Sequence, residues 1–215
     1  MAGEIRRPTE WVDGFLFVGN HLALDFLNTK PILEGESTEL LPNGPALERW
    51  LIASGLVSSR QDRALVRRWS NSLEAGVFVQ KLIMFRERLR AVVLRLEAGF
   101  PPGAAFLAEV NMLLKEHPQR AHLSKQGSGV VRQTFLEPRK PEDLWAPIAA
   151  ATAELISGVE PSRIRKCESD SCVVHFYDTS RKGSRRWCSM NICGNKLKVA
   201  AYQRRRRNST ASSIA

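Results

Sequence analysis

Every cysteine of this chain lies in its last quarter. Cys167, Cys172, Cys188 and Cys193 are spaced C-x4-C-x15-C-x4-C, and none occurs in the first 166 residues. Two close pairs joined by a longer loop can bring four thiolates together at about 2.3 Å from one Zn²⁺ in a tetrahedron. A stretch of roughly 45 residues is too short to hold itself together by burial alone. A bound zinc adds on the order of 10 kcal/mol to the folding of a finger peptide. The spacing therefore predicts a small metal-braced module. Two disulfides, or a thiol switch that releases its metal, are the rival readings, and a reducing compartment argues against the first. His175 lies in Val173-Val174-His175-Phe176-Tyr177, which reads as a strand, so it is expected to be a satisfied or exposed histidine rather than a fifth candidate ligand.

The x4 spacing constrains the backbone as well. Five residues advance a regular helix by about 500°, which leaves Cys188 and Cys193 about 140° apart around its axis. One regular helix cannot aim both at one ion. Cys188 is expected to precede a turn, and Cys193 to lie at or just before a helix start. Gly194 permits the turn, and Asn195 would cap a terminal basic helix from Lys196 to about Arg207.

Charge changes at the same place. Residues 161–215 carry 13 Lys and Arg against Glu168, Asp170 and Asp178, while residues 1–160 carry 19 of each sign, so the whole net charge of +10 lies in the cysteine-bearing segment. Guanidinium groups held beside a braced turn suit phosphate oxygens, which they meet through two hydrogen bonds. Arg181, Lys182, Arg185, Arg186, Lys196, Lys198, Arg204 and Arg205 are the expected nucleic-acid contacts. Trp187 is expected to pack against the knuckle. The Arg204–Arg207 run taken alone reads as well as a solvated basic tail as it does as a nucleic-acid contact, and a localisation signal is a further reading.

The two changes divide the chain of 215 residues into a module over 1–160, a finger over 161–207 and a flexible tail over 208–215. The larger module reads as mainly helical α+β. Asn43-Gly44-Pro45 opens a helix that Gly55 stops, and Ser58 or Ser59 caps another through Trp69. Residues 74–98 carry Val77, Leu82, Phe85, Leu89, Val92, Val93 and Leu96 at helical spacing, with Lys81, Arg86, Glu87, Arg90 and Arg95 between them. Ala104–Glu116 and Asp143–Ser157 are further helices. Between them, Ala121–Lys125 and Val130–Leu136 flank a glycine-rich link and predict a small hairpin. Phe15–Val18 reads as a short strand; in His21–Asn28, Leu22, Leu24 and Phe26 alternate as in a strand while Ala23, Phe26 and Leu27 have helical spacing, and the helix, capped by Asn20, is the preferred reading. No run of 18 apolar residues exists, and the first residues lack an apolar signal core, so a cytoplasmic protein without a membrane partner is expected.

At this point the residues resemble a known family. Cys167 to Arg207 is similar to the CGNR zinc finger of bacterial proteins. The match rests on both C-x4-C pairs, Asp178-Thr179-Ser180-Arg181, Ser184-Arg185-Arg186-Trp187-Cys188-Ser189-Met190 and Cys193-Gly194-Asn195. Lys196 replaces the arginine usual in that signature, keeping the charge but not the planar two-pronged donor. Gly19-Asn20-His21-Leu22-Ala23-Leu24-Asp25-Phe26-Leu27-Asn28-Thr29 resembles the start of the ABATE domain, the usual partner of that finger. The resemblance implies a stress-induced transcription regulator that binds DNA.

His21, Asp25 and Asn28 fall at i, i+4 and i+7 and share one helical face, either as a candidate ligand pocket or as a buried hydrogen-bond network. No phosphate loop, nucleophile motif or hydrolase metal motif is present, so an enzyme is not expected. The expected partners are nucleic acid, above all duplex DNA, a small-molecule effector and a second copy in a homodimer. An RNA-binding zinc module, an enzyme or small-molecule-binding domain with a structural finger, and a redox sensor remain as alternatives.

Overall fold

The computed structural model describes residues 10–195. The described residues open with a hairpin of two-residue strands, β1 (Trp11–Val12) on β2 (Phe15–Leu16), followed by α1 (Leu22–Leu27) and a second small hairpin, β3 (Ile32–Leu33) on β4 (Glu36–Ser37). Helices α2 (Gly44–Ala53), α3 (Arg60–Trp69), α4 (Leu73–Glu97) and α5 (Ala104–Glu116) come next. The hairpin β5 (Arg120–Gln126) and β6 (Gly129–Phe135) precedes α6 (Trp145–Ser157). The segment after α6 forms β7 (Ile164–Lys166), paired with β8 (His175–Tyr177), and a single π-helical turn over Met190–Gly194. The architecture is the expected one: a mainly helical α+β body with small antiparallel hairpins, followed by a four-cysteine finger. The terminal basic helix and the tail lie outside the described residues, as do Lys196, Lys198, Arg204 and Arg205.

Local signals place most helix ends. Asn43 accepts a hydrogen bond from the Ala46 amide, Ser59 from Asp62 and Ser72 from Ala75, which satisfies amides left open in each first turn. The helix near the N-terminus departs from expectation in its cap. His21 is the N-cap, its Nδ1 accepting from the Ala23 amide at 3.3 Å, while Asn20 sits in the left-handed region at φ 55°. Asn tolerates that conformation because its short polar side chain can bond locally.

Helix α4 runs through the centre of the body, packing on α1, α2 and β7. Phe78 and Phe85 meet the edge of Trp145, each with centroids 5.3 Å from it. Two residues on α4 reverse their expected sides. Val77 is 50% exposed, whereas Arg86, placed on the polar face by spacing alone, is fully buried. Its guanidinium donates to both oxygens of Glu39, at 2.8 and 2.5 Å, and to Thr29 Oγ1 at 2.8 Å.

The segment Phe15–Val18 joins the body to the finger. Phe15 and Phe17 enter the large helical core, while Leu16 and Val18 enter a second, smaller core with Cys167, Val174, Phe176, Cys188 and Cys193. Alternate residues of an extended chain face opposite sides, so one four-residue run completes two cores.

Candidate metal centre and its docking on the helical body

The four cysteines, 26 residues apart from first to last, converge on one point in the small core. Their sulfurs lie within 4.8 Å of one another, with Cys172 Sγ 3.9 Å and Cys193 Sγ 3.6 Å from Cys188 Sγ. A tetrahedron with 2.3 Å bonds has edges of about 3.8 Å, so the donor set fits zinc. None of the four is disulfide-bonded; Cys167, Cys188 and Cys193 are buried and Cys172 is half-buried. Without metal, such crowded thiols share protons unequally. Hydrogen bonds from Cys172 and Cys188 hold the Cys167 thiol far below its ordinary pKa, and those same bonds push Cys172 and Cys188 up.

The turn that brings in Cys193 resolves the spacing argument. Ser189 Oγ accepts from the Asn191 and Ile192 amides and so caps this turn, while the helix that Asn195 is expected to cap lies outside the described residues. The Gly194 amide then reaches back five residues to the Ser189 carbonyl at 3.0 Å. A π turn is wider than an α turn, and it returns Cys193 to the side of Cys188. Trp187 packs against this core, as expected, with the Arg186 guanidinium 5.2 Å from its ring centroid.

The loop between the cysteine pairs is organised by Asp178. Its buried carboxylate accepts from the Ser180 amide at 2.9 Å and the Arg185 amide at 2.8 Å. Burial acts to raise its pKa, but the bonds from Ser180 and Arg185 and the charge of Arg165 outweigh it, so the carboxyl stays below its ordinary range. The two ends of this loop face differently. Arg181 and Lys182 are exposed, as is Arg186, which also pairs with Glu168 at 2.6 Å. Arg185, expected on the phosphate-facing surface, turns inward. It donates to the Trp187 carbonyl at 3.0 Å, to the Val18 carbonyl at 3.2 Å and to the Cys188 carbonyl, and lies 4.1 Å from the Phe176 ring centroid. Its charge offsets the thiolates, and its hydrogen bonds tie the finger to the first strand.

His21, Asp25 and Asn28 sit where body and finger meet. Asn28 Oδ1 accepts from the His175 amide at 3.0 Å, and its Nδ2 donates to the His175 carbonyl at 2.8 Å, so one side chain acts as a strand edge for β8. Asp25 Oδ1 accepts from the Gly19 amide at 2.8 Å, and a Cβ at Gly19 would lie 2.8 Å from that same oxygen, so only glycine allows the approach. The Gly19 carbonyl in turn accepts from the Tyr177 amide at 2.8 Å, while Asn20 Nδ2 donates to the Tyr177 carbonyl at 3.0 Å. His21 caps the helix and stands 3.8 Å from Glu154. Asp25 and Asn28 thus form a buried network that docks the finger. His175 is buried with Nε2 3.3 Å from Glu97, and it is not among the clustered metal donors. The role of Arg86 and the sharing of Leu16 and Val18 were not visible from local spacing.

Replacing Asn28 with alanine removes both bonds and leaves the buried His175 amide and carbonyl unmet. Each unmet group costs about 1–3 kcal/mol, so Asn28→Ala is expected to lower stability by about 2–4 kcal/mol. Urea denaturation of the metal-loaded chain measures it. A loss below about 0.5 kcal/mol would show that the finger docks by other contacts.

A mainly helical body built around α4, with small hairpins and a docked four-cysteine finger, defines a two-module metal-binding protein. The chain belongs to the ABATE family, described as "Putative stress-induced transcription regulator", whose model matches residues 20–159, and the CGNR zinc finger model matches residues 163–206. No curated protein sequence matches it. Among the described residues, no helix is long and apolar enough to cross a membrane.

Proposed function

We propose that this chain is a cytoplasmic, DNA-binding transcription regulator of a stress response, with one zinc ion holding its finger in shape. The observation that carries this reading is the concentration of the entire +10 charge in the cysteine-bearing segment, beside a body of zero net charge. A metal-braced loop presents Arg181, Lys182 and Arg186 to solvent. The following residues, including Lys196, Lys198, Arg204 and Arg205, continue the positive charge. Such a surface neutralises phosphates and releases their counterions, which supplies affinity before any base is read. Zinc supplies the structural brace. Arg185 stands inside the finger and positions its loop, and the helical body serves as a sensing or assembly module.

The test is a competition among duplex DNA, hairpin RNA and single-stranded DNA for the metal-loaded chain. Duplex DNA should win. Replacing Arg181 and Lys182 together by alanine should weaken binding across sequences and reduce the magnitude of the salt slope by about 2. Preference for hairpin RNA would replace the reading with an RNA-binding one, and an unchanged slope would remove this loop from the interface.

A further inference from the structure

A cleft of about 360 Å³ opens along the seam between the helical body and the finger. One wall comes from α4 and the other from β7 and β8, with β3 and β4 closing one end. Its volume falls within the range of small-molecule sites. Its lining combines two chemistries. Ile32, Leu94 and Val173 give it an apolar floor, and Leu94 is 49% exposed although it lies on the central helix. Lys30, Arg90 and Lys166 bring three positive charges to its edges, against the single carboxylate of Glu87.

The Glu87 carboxylate is already engaged. It accepts from Arg86 at 3.2 Å and from Arg90 at 3.1 Å, and Arg90 also donates to the Leu27 carbonyl at 3.0 Å. Two lysines then face a ligand from opposite modules, Lys30 from the body, whose charge also reaches the Glu39 carboxylate, and Lys166 from β7. The wall also contains His175, buried to 3% exposure, whose Nε2 lies near Glu97 and whose Nδ1 has no hydrogen-bond partner among the described residues. A buried polar atom left unmet costs free energy unless something else satisfies it.

We infer that this cleft binds a small organic anion, a carboxylate on an apolar body, with the carboxylate between Lys30 and Lys166 and the apolar part on Leu94, Ile32 and Val173. A bare inorganic anion would leave the apolar floor wet, and a neutral apolar molecule would leave the lysines unanswered. This deepens the sensing role proposed for the helical body, but it needs no nucleic acid. A ligand held there touches both modules, so it favours the docked arrangement over any other in proportion to its differential affinity.

The test is a calorimetric titration of the metal-loaded full chain with 1-naphthoate, in the absence of DNA. Saturable binding of one equivalent is expected. The neutral analogue 1-naphthalenemethanol should bind at least tenfold more weakly, a comparison that needs no variant. Lys30→Glu combined with Lys166→Glu should also weaken 1-naphthoate at least tenfold while metal content stays at the wild-type level. Absence of saturable 1-naphthoate binding, or equal binding of the acid and the alcohol, would overturn the inference. Neither result bears on whether the finger holds DNA, which is measured separately.

Discussion

Replacing Cys188 with serine is expected to abolish zinc retention and to unfold the finger while most of the helical body stays folded. A serine hydroxyl does not ionise near neutral pH, so the fourth thiolate is lost from a fully buried position. The small core has seven buried members, and three of them are cysteines, so little apolar surface remains to hold it once the metal leaves. Zinc binding supplies on the order of 10 kcal/mol to comparable modules, more than the whole stability of many domains. The body keeps its own separate core, which runs from Phe15 to Ile164 and centres on α4. Hydrogen exchange reads the outcome residue by residue. Amides of β8 and of the Met190–Gly194 turn should lose protection, and those in the middle of α4 should keep it. Acid should mimic the substitution, because thiolates must be deprotonated to bind. Full protection of β8 in a zinc-free Cys188→Ser chain would contradict this account.

The second large effect is expected at Glu39. Its side chain meets the buried Arg86 guanidinium through both oxygens. Burial acts to raise the Glu39 pKa, but the bonds from Arg86 and from the Leu41 amide outweigh it and hold the carboxyl below its ordinary range. Glu39→Ala leaves a buried cation with Thr29 and the partly exposed Glu87 as its remaining side-chain partners. Removing one member of a buried ion pair costs about 3–5 kcal/mol, whereas replacing both with apolar residues is often neutral. Glu39→Leu together with Arg86→Met should therefore recover most of the loss. Chemical denaturation of the metal-loaded proteins checks both statements. A loss below about 1 kcal/mol in Glu39→Ala would show that this pair behaves as a surface salt bridge.

Much of this arrangement was legible in the sequence because its signals are local. Asn43, Ser59 and Gly55 mark helix ends through their own side chain or backbone freedom, and the structure places them there. The convergence of the cysteines followed from spacing and valence, and the turn after Cys188 from helical geometry. The features that escaped depend on partners distant in sequence. Arg86 looks like a polar-face residue until Glu39, 47 positions away, is brought beside it. Arg185 looks like a phosphate contact until the Val18 carbonyl, 167 positions away, takes its proton donor. Leu16 and Val18 form half of an unbroken apolar run, which signals burial on both sides. Nothing local says that the second side is the finger. Asn28 belongs to the same class: its spacing from Asp25 placed both on one helical face, but only the fold shows that the face meets β8.

The claim that most needs measurement is that the zinc-braced basic segment holds duplex DNA. A fluorescence-anisotropy titration of the metal-loaded chain against duplex DNA, repeated across a salt series, tests it directly. If about six phosphates are neutralised, log K should fall with log salt at a slope near −5. No affinity for duplex DNA at low salt would contradict the account.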